Sequence, residues 1–570
     1  MRRVLAPFSS LAFVCALALA AAAQVNPPVP PPPSGPVNPP GSIVTPAPGG
    51  SNAPSAAPTE TPAGPPGATP APGESVSPAP LASPTQPPII IEPPQLNVEP
   101  GKTVPARVNS ALGALTATVA DPAVATVVVD QAQRVIYVSG VKVGTTTVTV
   151  TDSRAVTRDV PVRVAYAAGT VAEETSVRVT GNPSSAEYLR DTVADAVERA
   201  ATLRPGVSID VPPETVPIHG DLRLDNRTEV DVPVHIAGNG YLPVNGTTHV
   251  TIENTALPPI YPARLLVSDY PERLTANGVL FTARLDRTQG QRFLYYHYNP
   301  GTEPARRILL KAHNASNAPA IVQMIDGTAG PGANEMEVGH LSTKRFLIRE
   351  ARNEGKVMTI AAGATMNLVD HPLPPQNVVS AILQLRLVSG DPLDLALVAQ
   401  DAQAALDQSI DTTLLLAGGA PHARGVYPVP TFFFDRTYDV DGADLDIAIG
   451  QLPLPNMRQG EALSGDYGVE QSMSVVIVNM TKGPRSIALY ANPRGGRATG
   501  TFLIDGTLVQ AHALAAFSRF KIWQERINAG TFRRIKVVTM PEGGSSYPLR
   551  LTFAPDDGSV APGGAGSPIY

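Results

Sequence analysis

The chain has 570 residues, 43% of them hydrophobic, and a formal net charge of -6 at pH 7. That length allows several domains of about 100 to 150 residues each, and a mildly acidic chain with no basic run excludes an electrostatic footprint for DNA or RNA. Its 61 prolines and 48 glycines, set against 5% aromatics, also exclude a chain that is globular throughout.

The first predicted element is a signal peptide over 1–23. Arg2 and Arg3 precede an apolar stretch that closes on Ala21-Ala22-Ala23 before Gln24. Cys15 lies within that stretch, reads as an ordinary apolar-region residue rather than an acylation site, and is the only cysteine. The exported chain is therefore expected to carry no disulfide, thiolate metal site or Cys nucleophile. No later segment has 18 consecutive apolar residues, so no transmembrane helix is expected after cleavage. Residues 24–88 read as a disordered Pro-rich linker, with 23 prolines between Pro27 and Pro88. Such a segment buries too little apolar surface to offset its ordering entropy. Fully extended at ~3.1 Å per residue, it would reach on the order of 190 Å.

From Ile89 the pattern changes to period two. TATVADPAVATVVVD, RVIYVSG and TTTVTVTD are β-branched runs separated by Asp121-Pro122, Ser139-Gly140 and Asp152-Ser153, which predicts a small β-sandwich over 89–168. Three stretches carry a resemblance: Leu96-Asn97-Val98-Glu99-Pro100-Gly101, Asp121-Pro122-Ala123-Val124-Ala125, and Gly140-Val141-Lys142-Val143-Gly144 with the Thr/Val strand that follows. Here the chain resembles bacterial immunoglobulin-like domains and the N-terminal domain of pilus-assembly and secretin-type proteins. That resemblance implies an extracytoplasmic adhesion, pilus or secretion context and brings no catalytic residue with it.

Residues 172–254 are predicted to be a small α+β unit. Ser184-Ser185-Ala186-Glu187 has capping-box spacing. Leu189, Val193, Ala196, Val197, Ala200 and Leu203 then recur at helical spacing until Pro205-Gly206. Beyond it the chain repeats itself. RRILLKAHNASNAPAIVQMIDGT (306–328) lies over RSIALYANPRGGRATGTFLIDGT (485–507) without a gap, and RFLYYHYN and SVVIVNM stand in front of the two copies. Lys344-Arg345-Phe346 is aligned with Ser518-Arg519-Phe520 by way of a longer loop in the first copy, and Pro392-Leu393-Asp394-Leu395 with Pro548-Leu549-Arg550-Leu551. Two copies of one antiparallel sandwich are expected, 255–399 and 427–556, with a joint at 400–426 and a flexible tail at 557–570. In both, IDGT is read as strand followed by a tight Asp-Gly turn. The fold class is thus mostly β: a multi-domain array of Ig-like β-sandwich domains with one small α+β unit.

Little in the sequence points to chemistry. The nine histidines form no H-x-x-x-H or HExxH pair. His297, in an aromatic strand, reads first as a core residue. Glu99-Pro100-Gly101-Lys102-Thr103 is no phosphate loop, because Leu96 stands where the first Gly belongs, and no G-x-S-x-G occurs. Asp439, Asp441, Asp444 and Asp446 surround Gly442; the plainer reading is a hairpin between TYDV and LDIAIG, and calcium binding is the sharper one. No catalytic, cofactor-binding or metal residue and no cofactor is expected. The function expected is an exported, non-catalytic scaffold or binding protein of the periplasm, cell surface or medium, with envelope, pilus or secretion proteins or the cell wall as partners and no nucleic acid. The alternatives are an extracytoplasmic polysaccharide hydrolase with its site between the two repeats, or a pair of carbohydrate-binding modules, which would need solvent-facing aromatics such as Tyr295 and Tyr490 on one sheet.

Overall fold

Alternating Val and Thr build the first folded element of this computed structural model, which describes residues 87–404, 415–416 and 422–559. The signal peptide, the Pro-rich linker through residue 86, the middle of the 400–426 joint and residues 560–570 of the tail lie outside the described residues. Strands β1 (Ile90–Glu92), β2 (Leu96–Val98), β3 (Thr103–Asn109), β4 (Thr116–Val119), β5 (Ala125–Asp130), β6 (Val135–Gly140), β7 (Gly144–Thr151) and β8 (Thr157–Val164) form two four-stranded sheets, ordered β1-β3-β6-β5 and β2-β8-β7-β4. Ile136 and Val138 of one sheet and Val148, Val150, Val160 and Val162 of the other fill the space between them. The period-two pattern places these residues on one face of each strand.

Next come β9 (Gly169–Thr170), β10 (Glu174–Val179), α1 (Ala186–Ala200), β11 (Thr202–Leu203), β12 (Ser208–Ile209), β13 (Arg227–Ala237) and β14 (Val244–Asn254). The sandwich is stitched to this unit by main-chain bonds, Ala168 N to Leu242 O and Leu242 N to Tyr166 O, both 2.8 Å. Helix α1 buries Leu189, Val193 and Val197 as its spacing requires. Its N-cap is Ser185, one residue later than the capping-box reading, and Ser185 Oγ accepts from Tyr188 N. Glu187 does not complete a box; the Ser185 N–H donates instead to Glu354 Oε1, 2.6 Å away.

The first repeat contains β15 (Pro262–Ser268), β16 (Gly278–Leu285), β17 (Gly290–Asn299), β18 (Arg306–His313), β19 (Ala320–Gly332), α2 (Glu335–Ala351), β20 (Lys356–Ile360), β21 (Thr365–Leu373), β22 (Asn377–Ser389) and β23 (Leu393–Asp401), with β24 (Arg424–Tyr427) after the joint. The second contains β25 (Thr431–Asp439), β26 (Leu445–Ile449), β27 (Glu470–Asn479), β28 (Arg485–Pro493), β29 (Ala498–Ile504), β30 (Thr507–Leu514), β31 (Phe520–Ile527), β32 (Thr531–Thr539) and β33 (Leu549–Pro555). Their topologies coincide. The order β16-β23-β18-β21 matches β26-β33-β28-β31, and β15-β17-β22-β19-β20 matches β25-β27-β32-β29-β30. The register agrees as well: Ala312 faces Leu395 and Ala491 faces Leu551. The sandwiches are not wholly antiparallel, since β15 joins β17, and β25 joins β27, in parallel.

Two further expectations about the repeats are overturned. IDGT is a turn only in the second copy, where Asp505 (φ 47) and Gly506 (φ 79) close the β29–β30 hairpin. In the first copy it runs mid-strand through β19, with Gly327 paired to Ile382, and residues 326–355 with helix α2 replace the turn. Gly327 has a packing role: a Cβ there would meet Ser342 O at 2.3 Å and Phe346 N at 2.6 Å, so its absence lets α2 lie against the strand. Lys344-Arg345-Phe346 consequently belongs to this helix and has no counterpart in Ser518-Arg519-Phe520. The boundary drawn at 254/255 cuts no gap. The ten-stranded sheet β12-β13-β14-β10-β20-β19-β22-β17-β15-β24 carries the α+β unit and the first repeat as one layer, joined where Val179 pairs with Lys356.

Candidate functional site

The strand that most shapes the space between the repeats is β17. Buried on both faces, it turns Phe293 and Tyr295 into the first repeat's own core and Leu294 and Tyr296 toward α2 and the second repeat. Its parallel neighbour β15 ends at Ser268, and β24 pairs on the far side of β15 with Ser268 opposite Arg424. Asp269 and His422, far apart in sequence, are therefore delivered to the same strand ends, where Asp269 N donates to Ala423 O.

Around them opens a cleft of about 420 Å³. Asp269, Glu272, Leu294, Tyr296 and His422 line it from the first repeat, Glu335 from the start of α2, and Glu461, Ser464, Tyr467 and Ser545 from the second repeat. His422 stands between two carboxylates, with Nε2 at 3.0 Å from Glu272 Oε2 and Nδ1 at 3.6 Å from Asp269 Oδ2. Asp269 Oδ1 is buried without a hydrogen-bond partner. Burial pushes the Asp269 carboxyl up to about 6, and the bond to Asp269 draws His422 above its ordinary value. Tyr296 is only 6% exposed and its hydroxyl also lacks a partner, whereas Tyr467 donates to Ser545 O at 2.6 Å. The chemistry available is acidic: four carboxylates face one imidazole.

Buried polar groups fix the walls of the cleft. Arg292 on β17, wholly buried, bonds Glu350 of α2 at 2.8 Å, Glu470 of β27 at 3.0 Å and Pro430 O at 2.6 Å. Burial, with Glu470 next in weight, raises the Glu350 carboxyl above its ordinary value. His340 of α2 meets Glu542 of the second repeat at 3.0 Å, and Glu542 accepts from Thr499 and Thr501. Behind α2, Asp326 binds Arg349 at 2.8 Å and Lys356 at 3.3 Å, and these cations reach Asp191 and Asp195 of α1. Burial raises the Asp326 carboxyl, but Lys356 and Arg349 together outweigh it and hold the group near 2.

The residues singled out in the sequence do not assemble into a site. His297 is core: Nδ1 bonds Pro271 O, Nε2 faces Ser268 Oγ, and burial lowers the ring to about 4. Tyr295 and Tyr490 are both fully buried, so the aromatic platform needed by a carbohydrate-binding pair is absent at those positions. The Asp439 to Asp446 stretch is no hairpin, because β25 and β26 enter different sheets. Asp441 pairs with Arg485, Asp446 with Arg550 and Thr552, and Asp439 accepts from Asp441 N. Among the described residues no three His, Cys, Asp or Glu side chains are gathered as a metal site. Nor is any helix among them long and apolar enough to cross a membrane.

Comparison with known proteins assigns one segment. Residues 92–165 match the family described as pilus formation protein N terminal region, which is the sandwich β1–β8. No curated protein matches the chain. Among solved structures, domains 5–6 of the S-layer protein SbsC align at 18% identity over 30% of this chain and 97% of that one, with a TM-score of 0.14. The M60 catalytic domain with CBM51-1 and CBM51-2 from Clostridium perfringens ZmpB aligns at 9% identity over 82% of this chain and 54% of that one, TM-score 0.15. A Bacteroides ovatus protein, SGBP-B of a mixed-linkage glucan utilization locus, aligns at 9% identity over 51% and 71%, TM-score 0.11. Scores this low carry no weight for fold or function.

Proposed function

We propose that the chain is an exported, non-catalytic scaffold or binding protein of the cell envelope that serves pilus, secretion or adhesion assembly. The observation that carries this reading is the pilus formation region at residues 92–165, held on a body whose sheets run through successive units. Support also comes from the way the sandwich is mounted: it bonds the next unit through main chain, and Arg204 lies 4.8 Å over the Tyr166 ring. Strand β5 is the last strand of its sheet and carries Val128 at 67% exposure, which suits strand addition by a partner. A photo-crosslinking residue at Val128, in intact producing cells followed by mass spectrometry, tests the reading. Pilus, secretin or other envelope proteins joined at that position support it. A chain recovered free in the medium with no joined partner refutes it.

A second reading, a hydrolase acting on polysaccharide, is favoured by one observation, the meeting of Asp269, Glu272, Glu335 and Glu461 with His422 between the repeats. A carboxyl raised by burial with further carboxylates in the same cleft is one part of what acid–base hydrolysis of glycosides uses. Release of reducing sugar from cell-wall polysaccharides, abolished by Asp269→Asn, would establish it.

A further inference from the structure

We propose that the cleft between the repeats is a receptor for an alkylammonium group, supplied by a free amine or by a lysine side chain of another protein. Three features of the cleft point to this class. First, Asp269, Glu272, Glu335 and Glu461 line one cavity with His422 as the single basic side chain, so an anion would be repelled and a neutral ligand would leave the charge uncompensated. Second, two acceptors are prepared and unused. Asp269 Oδ1 and the Tyr296 hydroxyl are buried with no partner among the described residues, and Tyr296 is 6% exposed. Each such group carries a desolvation cost that an N–H donor from a ligand would relieve. Third, part of the remaining wall, beside Ser464 and Ser545, is apolar. Leu294, Leu463 and the Tyr467 ring line it, and the Tyr296 ring packs so near Gly543 that an added Cβ would come within 2.7 Å of it. That surface suits methylene groups, with the ammonium directed to the carboxylates. A bare metal ion fits less well, since no three donors are gathered as a metal site.

The charged groups around Asp269 are His422 beside β24, Glu272 after β15, Glu335 at the start of α2, and Glu461 with Tyr467 from the second repeat. Asp269 must be ionised to accept the cation. Because burial raises it to about 6, affinity should fall as pH drops through that value. The inference stands on the cleft's own residues and does not rest on the pilus region, so either can fail without the other.

The test is titration of the full chain with two probes, n-butylammonium and Nα-acetyl-lysine amide, by calorimetry at pH 7.5 and pH 5. Saturable binding is expected, weakened tenfold or more by Asp269→Asn, severalfold by Tyr296→Phe and by Glu461→Gln on the exposed rim, and weakened again at pH 5. Tighter binding of the lysine amide identifies a protein side chain as the source; tighter binding of butylammonium identifies a free amine. Absence of saturation by both probes overturns the proposal. So does equal affinity in wild type and all three variants, displacement of the probe by stoichiometric calcium, or polysaccharide hydrolysis that depends on Asp269.

Discussion

Asp326→Ala should destabilise the folded chain by about 3 to 5 kcal/mol at pH 7, the range for removing one partner from a buried ion pair. The carboxylate is 5% exposed and is shared by Arg349 and Lys356, so its loss leaves two buried cations to Asp191 and Asp195 alone. The pH dependence gives an independent magnitude. A carboxyl whose pKa falls from 3.8 to about 2 on folding contributes about 2 kcal/mol above pH 4. The folded value is depressed, so this stability is present above the unfolded value and is lost as pH falls from about 4 through 2. Urea unfolding followed by tryptophan fluorescence and far-UV circular dichroism, at pH 7 and at pH 3, measures both quantities. The difference between wild type and Asp326→Ala should shrink at the lower pH. A companion triple variant, Asp326→Leu with Arg349→Met and Lys356→Met, should recover much of the loss, because apolar groups of similar size can replace a buried charged network. An Asp326→Ala chain that unfolds at the wild-type midpoint at pH 7 would refute the reasoning.

The same tetrapeptide should respond differently in its two copies. Gly327→Ala, where the new Cβ collides with the backbone of α2, should cost about 1 to 3 kcal/mol and speed amide exchange in residues 335–351; Gly506→Ala should cost about 1 to 2 kcal/mol through its positive φ and leave exchange in α2 unchanged. Phe346→Ala, which empties a fully buried site between the repeats, should cost about 3 to 5 kcal/mol in urea unfolding. Glu350→Gln should flatten the stability profile: burial raises its carboxyl above the ordinary value, so the wild-type chain loses stability as pH rises above the ordinary carboxylate range and the variant loses less, as thermal unfolding against pH will report. Chelation with EDTA should leave the thermal midpoint unchanged, since Asp441 and Asp446 are engaged by Arg485 and Arg550; a fall on chelation would restore the calcium reading.

Legibility in the sequence followed the range of the interactions involved. Strands with one buried face announce themselves by alternation, as in β6 and β7, and the repeat was visible because paired strands keep their inward residues: Ala312 and Ala491 lie opposite Leu395 and Leu551 in both copies. Helix α2 was hidden for a physical reason. It is covered both by its own sheet and by the second repeat, so His340, Ser342 and Thr343 are buried along with Val338, Phe346 and Leu347. A helix covered on several sides has no clean apolar stripe to read. The acidic cleft was hidden for another. Asp269 and His422 meet only because the parallel β15–β17 pair and the late strand β24 set two distant segments side by side, and no local spacing encodes such a crossover.

The position of α2 explains how a tandem repeat became a single body. In the second copy the Asp-Gly turn closes a hairpin, with Asp505 Oδ1 accepting from Lys536 N of the neighbouring β32 at 2.8 Å. In the first copy the same point of the fold opens to admit residues 326–355. The Asp that would have capped a turn is turned inward to Arg349 and Lys356, while the Gly gives its missing side chain to helix contact. From there α2 reaches the second repeat through His340 and Glu542 and through the Gly339 backbone, so close to Gly543 that a Cβ would sit 1.8 Å from its carbonyl oxygen. The helix thereby sets the two sandwiches at a fixed separation, and that separation creates the cleft, since Glu335 at its first turn and Tyr296 beneath it both line the cavity. One insertion at a duplicated turn accounts both for the contact between the two sandwiches and for the concave surface between them.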